Sequence, residues 1–479
     1  MTALQNYRGA SVIFFSHSIN ETIPSLRALR PRYVAVVVEP ERICNDFVAD
    51  TYNALRLIDD DEFIDAAVGF ITAATPDDMM NLINNTKKAE TEPKPQKFTS
   101  VIYSNTTFMS GIGVLKRSEV YTDFFSEIGW ETSVVDTYSK TSDFYQKMNS
   151  SALVTLNMHG NPLMVEGLSS SEIKAGPSQF LYPAVAIASP CFTAVTYNWT
   201  GECAGNYTIN PADSFSLSFL RKGAVGYIGH LRMYGVNWAF LEPALYGIVF
   251  LNMSQGEAVT YSLNEGLLNY ANPFTHAFSP DDVWLEDAKT MFFGYVLYGD
   301  PAFKPVSGNL ATPIVNGNSD ALDNRVNLQV SFTRNVTVNT FYNESYHPEN
   351  NEWEGLINGP LTFRFALNEG FNVTEVRFLN FSDPTGKADL AFLGWMIENS
   401  RDGDYVQLYF WFSFPDVGRI CNGTVINVEI VESNVIPEFP SNLFIIVLVV
   451  LPLLAGTLFF RKELAQFLEV EMYREDLEF

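Results

Sequence analysis

A histidine and a cysteine stand at the ends of two apolar runs. In "SALVTLNMHGNPLMVEG", residues 151–167, the run Ala152–Met158 stops at His159-Gly160. In "YPAVAIASPCFTAV", residues 182–195, the run Ala184–Ala188 stops at Ser189-Pro190-Cys191. Short apolar runs bounded by turn residues read as buried strands of a parallel sheet. Sites in open parallel sheets form at the carboxyl ends of the strands, so these two residues, 32 positions apart (191 − 159), can meet at neighbouring strand ends. A thiolate is a strong nucleophile once a nearby base lowers its pKa, and His159 is such a base. Gly160 lacks a Cβ, which lets its N–H approach a ligand closely; with the N–H of Cys191 it could stabilise an oxyanion. His230, in "AVGYIGHLRMYG", also ends a strand and competes with His159 as the base. Each motif has a plainer alternative. A His-Gly after a strand is common, and Cys191 could be a buried thiol or bridge to Cys203, twelve positions on.

The chain that must position these residues has 479 of them, enough for two or three domains, and 47% are hydrophobic. Its 30 basic against 55 acidic side chains give a net charge of −25, which leaves no basic surface for nucleic acid. Four cysteines, at 44, 191, 203 and 421, match no zinc spacing and are too sparse for a disulfide scaffold. Acidic loops leave room for a structural calcium, although "LIDDDEF" lacks the EF-hand spacing. No organic cofactor is implied.

The first 300 residues alternate strand-like runs with amphipathic stretches. The runs are Val12–Phe15, Tyr33–Val38, Ala67–Thr72, Thr99–Tyr103, Thr132–Val135, Leu153–Met158, Ala184–Ala188 and Ala224–Ile228. Between them lie helical patterns such as "TPDDMMNLINNTKKAE" and "LKRSEVYTDFFSEIGW". Thr75-Pro76-Asp77-Asp78 combines a cap, a proline in the first turn and acids on the helix dipole. Such alternation predicts an α/β fold with a largely parallel sheet. "TEPKPQK", 91–97, reads as a linker between a first α/β subdomain, 1–96, and a larger one, 97–306. From 307 to 435 the period changes to two, as in "RVNLQVSFT", "NVTVNTFY", "GPLTFRFAL", "DYVQLYFWFSF" and "GTVINVEIVE". That pattern predicts an antiparallel β-sandwich whose simplest role is a spacer.

Residues 436–479 form the last unit. Leu443–Phe460, "LFIIVLVVLPLLAGTLFF", is long enough and uncharged enough to span a bilayer. Arg461-Lys462 follow it and only acids precede it, so the positive-inside rule puts residues 1–440 outside and the tail in the cytoplasm. Twelve N-x-S/T sequons, at Asn20, Asn84, Asn105, Asn149, Asn198, Asn206, Asn252, Asn335, Asn343, Asn372, Asn380 and Asn422, fit an exported glycoprotein. At the other end the apolar core Ser11–Phe15 is too short for a signal peptide. That leaves two readings, a start lying upstream or a tail-anchored protein facing the cytosol.

Together these motifs resemble the gingipain-type cysteine peptidases, of the clan that includes caspases and legumain. The clan is marked by one apolar strand ending in His-Gly and a second ending shortly before Cys, in the order and separation found here. "RPRYVAVVVEPERI", "DDDEFIDAAVGFITAATPDDMMNLINNTKKAE", "DSFSLSFLRKGAVGYIG" and "FFGYVLYGDPAFKP" resemble further segments of that family, so the likeness runs over about residues 10–305. It implies a caspase-like α/β sandwich in two subdomains followed by an immunoglobulin-like β domain. It also implies Cys191 as nucleophile, His159 as acid and base, and the Gly160 and Cys191 amides as oxyanion hole. Ser189-Pro190 stands where the family has small residues such as Ala, and Phe70 where Arg is typical; the acidic partner of the histidine and the specificity acid match no position here. "IPEFPS" before the apolar run resembles a C-terminal sorting tag of archaeal surface proteins, and reads equally as a proline-stiffened stalk.

The sequence thus predicts a membrane-anchored, outward-facing cysteine endopeptidase acting on protein or peptide through an acyl-enzyme. Two rivals stand beside it. One is a non-catalytic surface or adhesion protein on a dead peptidase fold, which a Cys191–Cys203 disulfide would favour. The other is a transpeptidase-like processing enzyme, in which an amine resolves the acyl-enzyme.

Overall fold

A computed structural model describes residues 2–432, apart from 60–62, 103–120, 123, 124, 127, 137–140, 149, 158, 166, 177–181, 202–204, 233–240, 250, 272–292, 307–314, 323, 324, 334, 335, 338–341, 348–351, 368–370, 372, 387, 401, 402 and 414–418. In chain order the first strands are β1 (Tyr33–Val37), β2 (Ala67–Ile71), β3 (Lys97–Ile102), β4 (Glu131–Asp136) and β5 (Leu153–Asn157). The short strands β6 (Gly160–Asn161), β7 (Met164–Val165) and β8 (Leu168–Ser169) form a small antiparallel sheet directly after His159. Then come β9 (Val185–Ala188), the hairpin of β10 (Trp199–Gly201) and β11 (Gly205–Tyr207), β12 (Gly226–His230) and β13 (Tyr295–Gly299).

Eight of these strands share one sheet, ordered β1-β2-β13-β12-β9-β5-β3-β4. β12, β9, β5, β3 and β4 run parallel to one another. β13 is antiparallel to β12 and parallel to β2, which is parallel to β1. The sheet is therefore mixed, with two parallel blocks of opposite direction. β13 comes late in the chain and joins the blocks on either side of residues 91–97, which connect the helix Pro76–Thr91 to β3. Every residue of β2, β5, β9, β12 and β13 is buried, which is why these strands read as continuous apolar runs with no alternation.

The helix Pro76–Thr91 starts where its cap predicts: the Thr75 hydroxyl accepts the Asp78 N–H at 3.1 Å. The strand expected at Val12–Phe15 does not form. With no neighbouring strand to complete its hydrogen bonds, this short run lies as irregular chain: Phe14 is 78% exposed, and Phe15 stacks on Phe47 at 6.2 Å. The chain after it wraps the Glu21 carboxylate, which accepts the N–H groups of Ser16, His17 and Ser18 at 2.9–3.0 Å.

After residue 314 the chain is strand-rich: β14 (Val315–Leu322), β15 (Arg325–Phe332), β16 (Val336–Thr337), β17 (Tyr342–His347), β18 (Glu352–Ala366), β19 (Val373–Ser382), β20 (Asp389–Ser400), β21 (Gly403–Ser413), β22 (Arg419–Ile420) and β23 (Val425–Glu432). They make two four-stranded antiparallel sheets, β14-β15-β23-β19 and β17-β18-β21-β20, with β16 and β22 paired apart. In β15 buried residues alternate with less buried ones along the whole strand, the period-two signature of a sheet with one face inward. The region packs on the helix Gln255–Ala271. Tyr409 stacks on Tyr261 at 6.2 Å, and the Asn264 amide donates to the Met396 sulfur at 3.6 Å. Glu257 at the start of that helix takes Arg32, which precedes β1, at 2.5 Å and Arg364 of β18 at 3.2 Å.

The apolar run 443–460 lies outside the described residues. Among the described residues no helix is long and apolar enough to cross a membrane.

Candidate functional site

β5 and β9 are neighbours, parallel, and in register as Leu153↔Val185, Val154↔Ala186, Thr155↔Ile187 and Leu156↔Ala188. The offset is 32 residues (185 − 153), the same as between His159 and Cys191 (191 − 159). Pairing continues one residue past β9: the Ser189 N–H and hydroxyl both donate to the Leu156 carbonyl at 3.0 Å. Pro190 then has no N–H to donate, and the ladder stops. Both chains leave the sheet at one edge, a residue or two from where the pattern would set His159 opposite Cys191.

Gly160 shows how near the exits come. A Cβ built on it would lie 2.6 Å from Pro190 Cβ, 2.7 Å from Thr193 Cγ2 and 3.3 Å from the Cys191 carbonyl oxygen. The His-Gly exit is thus pressed flat on the turn that carries Cys191, and only glycine fits. His159 is exposed and Cys191 half-buried. Cys203 lies outside the described residues, and the expected alternative of a Cys191–Cys203 bridge lies outside them with it.

The segment after Cys191 is tied down from several sides. The Phe192 N–H donates to the Arg232 carbonyl at 3.0 Å and the Ala194 N–H to the His230 carbonyl at 3.1 Å. The Tyr298 hydroxyl donates to the Ala194 carbonyl. The Ser214 hydroxyl donates to the Val195 carbonyl at 2.9 Å, and the Thr196 hydroxyl to the Pro40 carbonyl at 2.7 Å. Burial pushes the Tyr298 and Tyr227 phenols far above their ordinary range, so both stay protonated.

His230 ends β12 at the same edge but is fully buried, with its Nδ1 2.8 Å from the Arg232 carbonyl oxygen and 3.0 Å from the Arg232 nitrogen. A general base has to reach the proton it takes and the leaving group it serves. His159 is exposed at its strand exit, whereas His230 is enclosed.

Two features of this edge escaped the sequence. Asn157, two residues before His159, is fully buried; its amide donates to the Ser100 and Thr155 hydroxyls at 3.1 Å each, and its Oδ1 has no hydrogen-bond partner among the described residues. The signal was there in Thr155 and Asn157, polar residues at alternate positions of an otherwise apolar run. The other is Thr193, whose hydroxyl donates to the Pro190 carbonyl at 3.2 Å; nothing in its flanks marks it. Among the described residues no group of three or more His, Cys, Asp and Glu side chains is placed to hold a metal ion.

A family model described as peptidase family C25 matches residues 7–306. Among solved structures the chain is similar to the complex of the pro- and mature domains of RgpB from Porphyromonas gingivalis, at 11% identity over 70% of this chain and 83% of that one, with a TM-score of 0.44. It is similar as well to two structures of the Saccharomyces cerevisiae separase–securin complex, each at 14% identity. They cover 56% and 62% of this chain and 15% and 16% of those chains, with TM-scores of 0.36 and 0.34. These structural likenesses are weak. A search of the curated proteins found no match.

Proposed function

The chain belongs to peptidase family C25 and is a cysteine-type peptidase, and from that premise we propose that it is an endopeptidase working through a Cys191–His159 dyad. The Cys191 thiolate attacks a peptide carbonyl and forms a C–S bond. The tetrahedral oxyanion is held by the N–H groups of Gly160 and Cys191. Collapse breaks the C–N bond, the His159 imidazolium gives its proton to the leaving amine, and an acyl-enzyme remains. His159 then takes a proton from water as the hydroxyl adds to the thioester, and the acid product leaves with the thiol restored.

One observation carries this reading: the shared 32-residue offset of the β5–β9 register and of the His159–Cys191 pair, with Gly160 packed on the Cys191 turn. The substrate is protein or peptide. We further propose that residues 443–460 anchor the enzyme in a membrane with the bulk of the chain outside, and that the β region is an immunoglobulin-like module. The support for the anchor is the uncharged run and its basic flank.

Turnover of a mixed peptide library tests the dyad. Cys191→Ala should lower kcat/KM by on the order of 10⁴-fold or more, since nucleophile and base act as a unit. His159→Ala should cost about 10²–10⁴-fold. A His159→Ala enzyme with parental turnover would remove His159 from the mechanism.

A further inference from the structure

Phe192, directly after Cys191, has a φ of +59°. This left-handed conformation is unfavourable for a residue other than glycine. Such outliers persist where the surroundings over-determine them, and they cluster at functional sites. Here the surroundings are the end of β12. Phe192 pairs with Arg232 and Ala194 with His230, so the chain turns back antiparallel to the β12 exit. Inside this turn the Thr193 hydroxyl holds the Pro190 carbonyl. That carbonyl shares a planar trans peptide with the Cys191 N–H, so holding it fixes the direction in which the N–H points. Gly229 of β12 makes room for the arrangement: a Cβ there would lie 3.2 Å from Thr193 Oγ1 and 2.7 Å from Tyr227 Cε1.

His230 closes the clasp. Its ring is fully buried and lies edge-to-face on Tyr295, centroids 4.5 Å apart. Its Nδ1 lies within hydrogen-bond distance of both the N–H and the carbonyl of Arg232. One nitrogen cannot serve both at once: protonated at Nε2 it accepts from the N–H, and protonated at Nδ1 it donates to the carbonyl. In either form it fixes the Arg232 main chain, whose carbonyl receives the Phe192 N–H. We propose that His230 is a positioning residue for the reaction: through the Arg232 main chain it holds the left-handed turn at Phe192, and so keeps the Cys191 N–H aimed at the developing oxyanion. The inference rests on the assignment of Cys191 as the nucleophile.

The test uses the full chain with His230→Phe and His230→Asn. Phenylalanine keeps a ring against Tyr295 and removes the nitrogen; asparagine returns an amide near the place of Nδ1. Two probes then separate thiol from oxyanion. Iodoacetamide alkylates a thiolate without creating an oxyanion, whereas a peptide aldehyde forms a hemithioacetal that carries one. Deleting an oxyanion donor costs about 10²–10³-fold in kcat, and a misdirected donor should cost less. His230→Phe is expected to react with iodoacetamide within about twofold of the parent, and to bind the aldehyde roughly 10–100-fold more weakly. Its kcat should fall by a similar factor with KM little changed, and His230→Asn should recover much of the loss.

Unchanged aldehyde affinity in His230→Phe overturns the proposal. So does an iodoacetamide rate that falls in step with aldehyde affinity, which would mark His230 as the base or as a support of the fold alone. If His230→Phe does not fold, Thr193→Val, which removes the hydroxyl on the Pro190 carbonyl at nearly constant shape, must show the same split, and its absence overturns the proposal equally. Failure of both probes to modify Cys191 in the parent chain would instead bring down the nucleophile assignment, and this inference with it.

Discussion

Replacing Gly160 by alanine tests the meeting of the two strand exits with a single methyl group. The new Cβ would sit 2.6 Å from Pro190 Cβ and 2.7 Å from Thr193 Cγ2. Carbon atoms in contact prefer about 3.5–4.0 Å, so each approach is short by roughly 1 Å. Neither neighbour is the far end of a flexible chain: one belongs to a proline ring and the other to the short branched side chain that holds the Pro190 carbonyl. The turn carrying Cys191 must therefore move away from the His159 exit by about that distance. Overpacking of this size costs about 1–3 kcal/mol of stability. The functional cost should be larger, because a displacement of about 1 Å between reacting groups can cost on the order of 10²-fold. The assay is kcat/KM on a peptide substrate beside the unfolding free energy. Gly247→Ala, in the helix Leu241–Val249, is the control, since its Cβ would press on Met253 Sδ at 3.0 Å and Tyr261 Cδ1 at 3.2 Å. It should lose comparable stability and keep kcat/KM within a few-fold. Parental activity and stability in Gly160→Ala would refute the packing of the His-Gly exit on the Cys191 turn.

Other outcomes follow from the charges. Burial raises the Glu257 pKa, but Arg364, Arg32 and the Ser254 N–H outweigh it and hold the carboxyl below its usual range. Its stabilisation is therefore present above the unfolded value of about 4.3 and is lost as the pH falls through the lower folded value. Arg364→Leu should cost about 1–3 kcal/mol at neutral pH and raise the midpoint of acid unfolding, read by denaturant titration and circular dichroism; an unchanged midpoint would count against the coupling of β18 to the α/β sheet. The N–H groups of Ser16, Ser18 and His17 hold the Glu21 carboxyl down to about 2. Its contribution should persist above about 4.3 and vanish as the pH falls through about 2, and a carboxyl resonance titrating near 4 would contradict the wrap seen around it.

Much of the candidate site's edge was legible because it depends on local patterns. β5 and β9 are short and wholly buried, Pro190 stops the ladder after β9, and the cap at Thr75 contains its own explanation. What escaped depends on partners far along the chain. β13 is also wholly buried, yet its "YVLYG" is inserted between β2 and β12 by pairings that no local pattern announces. The same limit explains Val12–Phe15, an apolar run of strand type that no strand adjoins. The expected strand Ala224–Ile228 is displaced by two residues to Gly226–His230, since a buried run does not mark its own ends. In the β region β14, β19 and β20 lay in stretches with weaker alternation. At the site itself, the left-handed turn at Phe192 could not be read from a phenylalanine, a residue type that ordinarily avoids that conformation. The enclosure of His230 was likewise hidden, since residue type and strand end are visible in the sequence while burial is not.

The identity of the nucleophile can be settled by one adduct. The full chain, treated with a peptidyl acyloxymethyl ketone and digested, should carry the ketone on Cys191 alone by mass spectrometry, at a rate reduced about 10²-fold or more by His159→Ala and little affected by Cys44→Ser or Cys421→Ser. An adduct on Cys44, Cys203 or Cys421 in place of Cys191, or labelling of Cys191 at an undiminished rate without His159, would contradict the dyad.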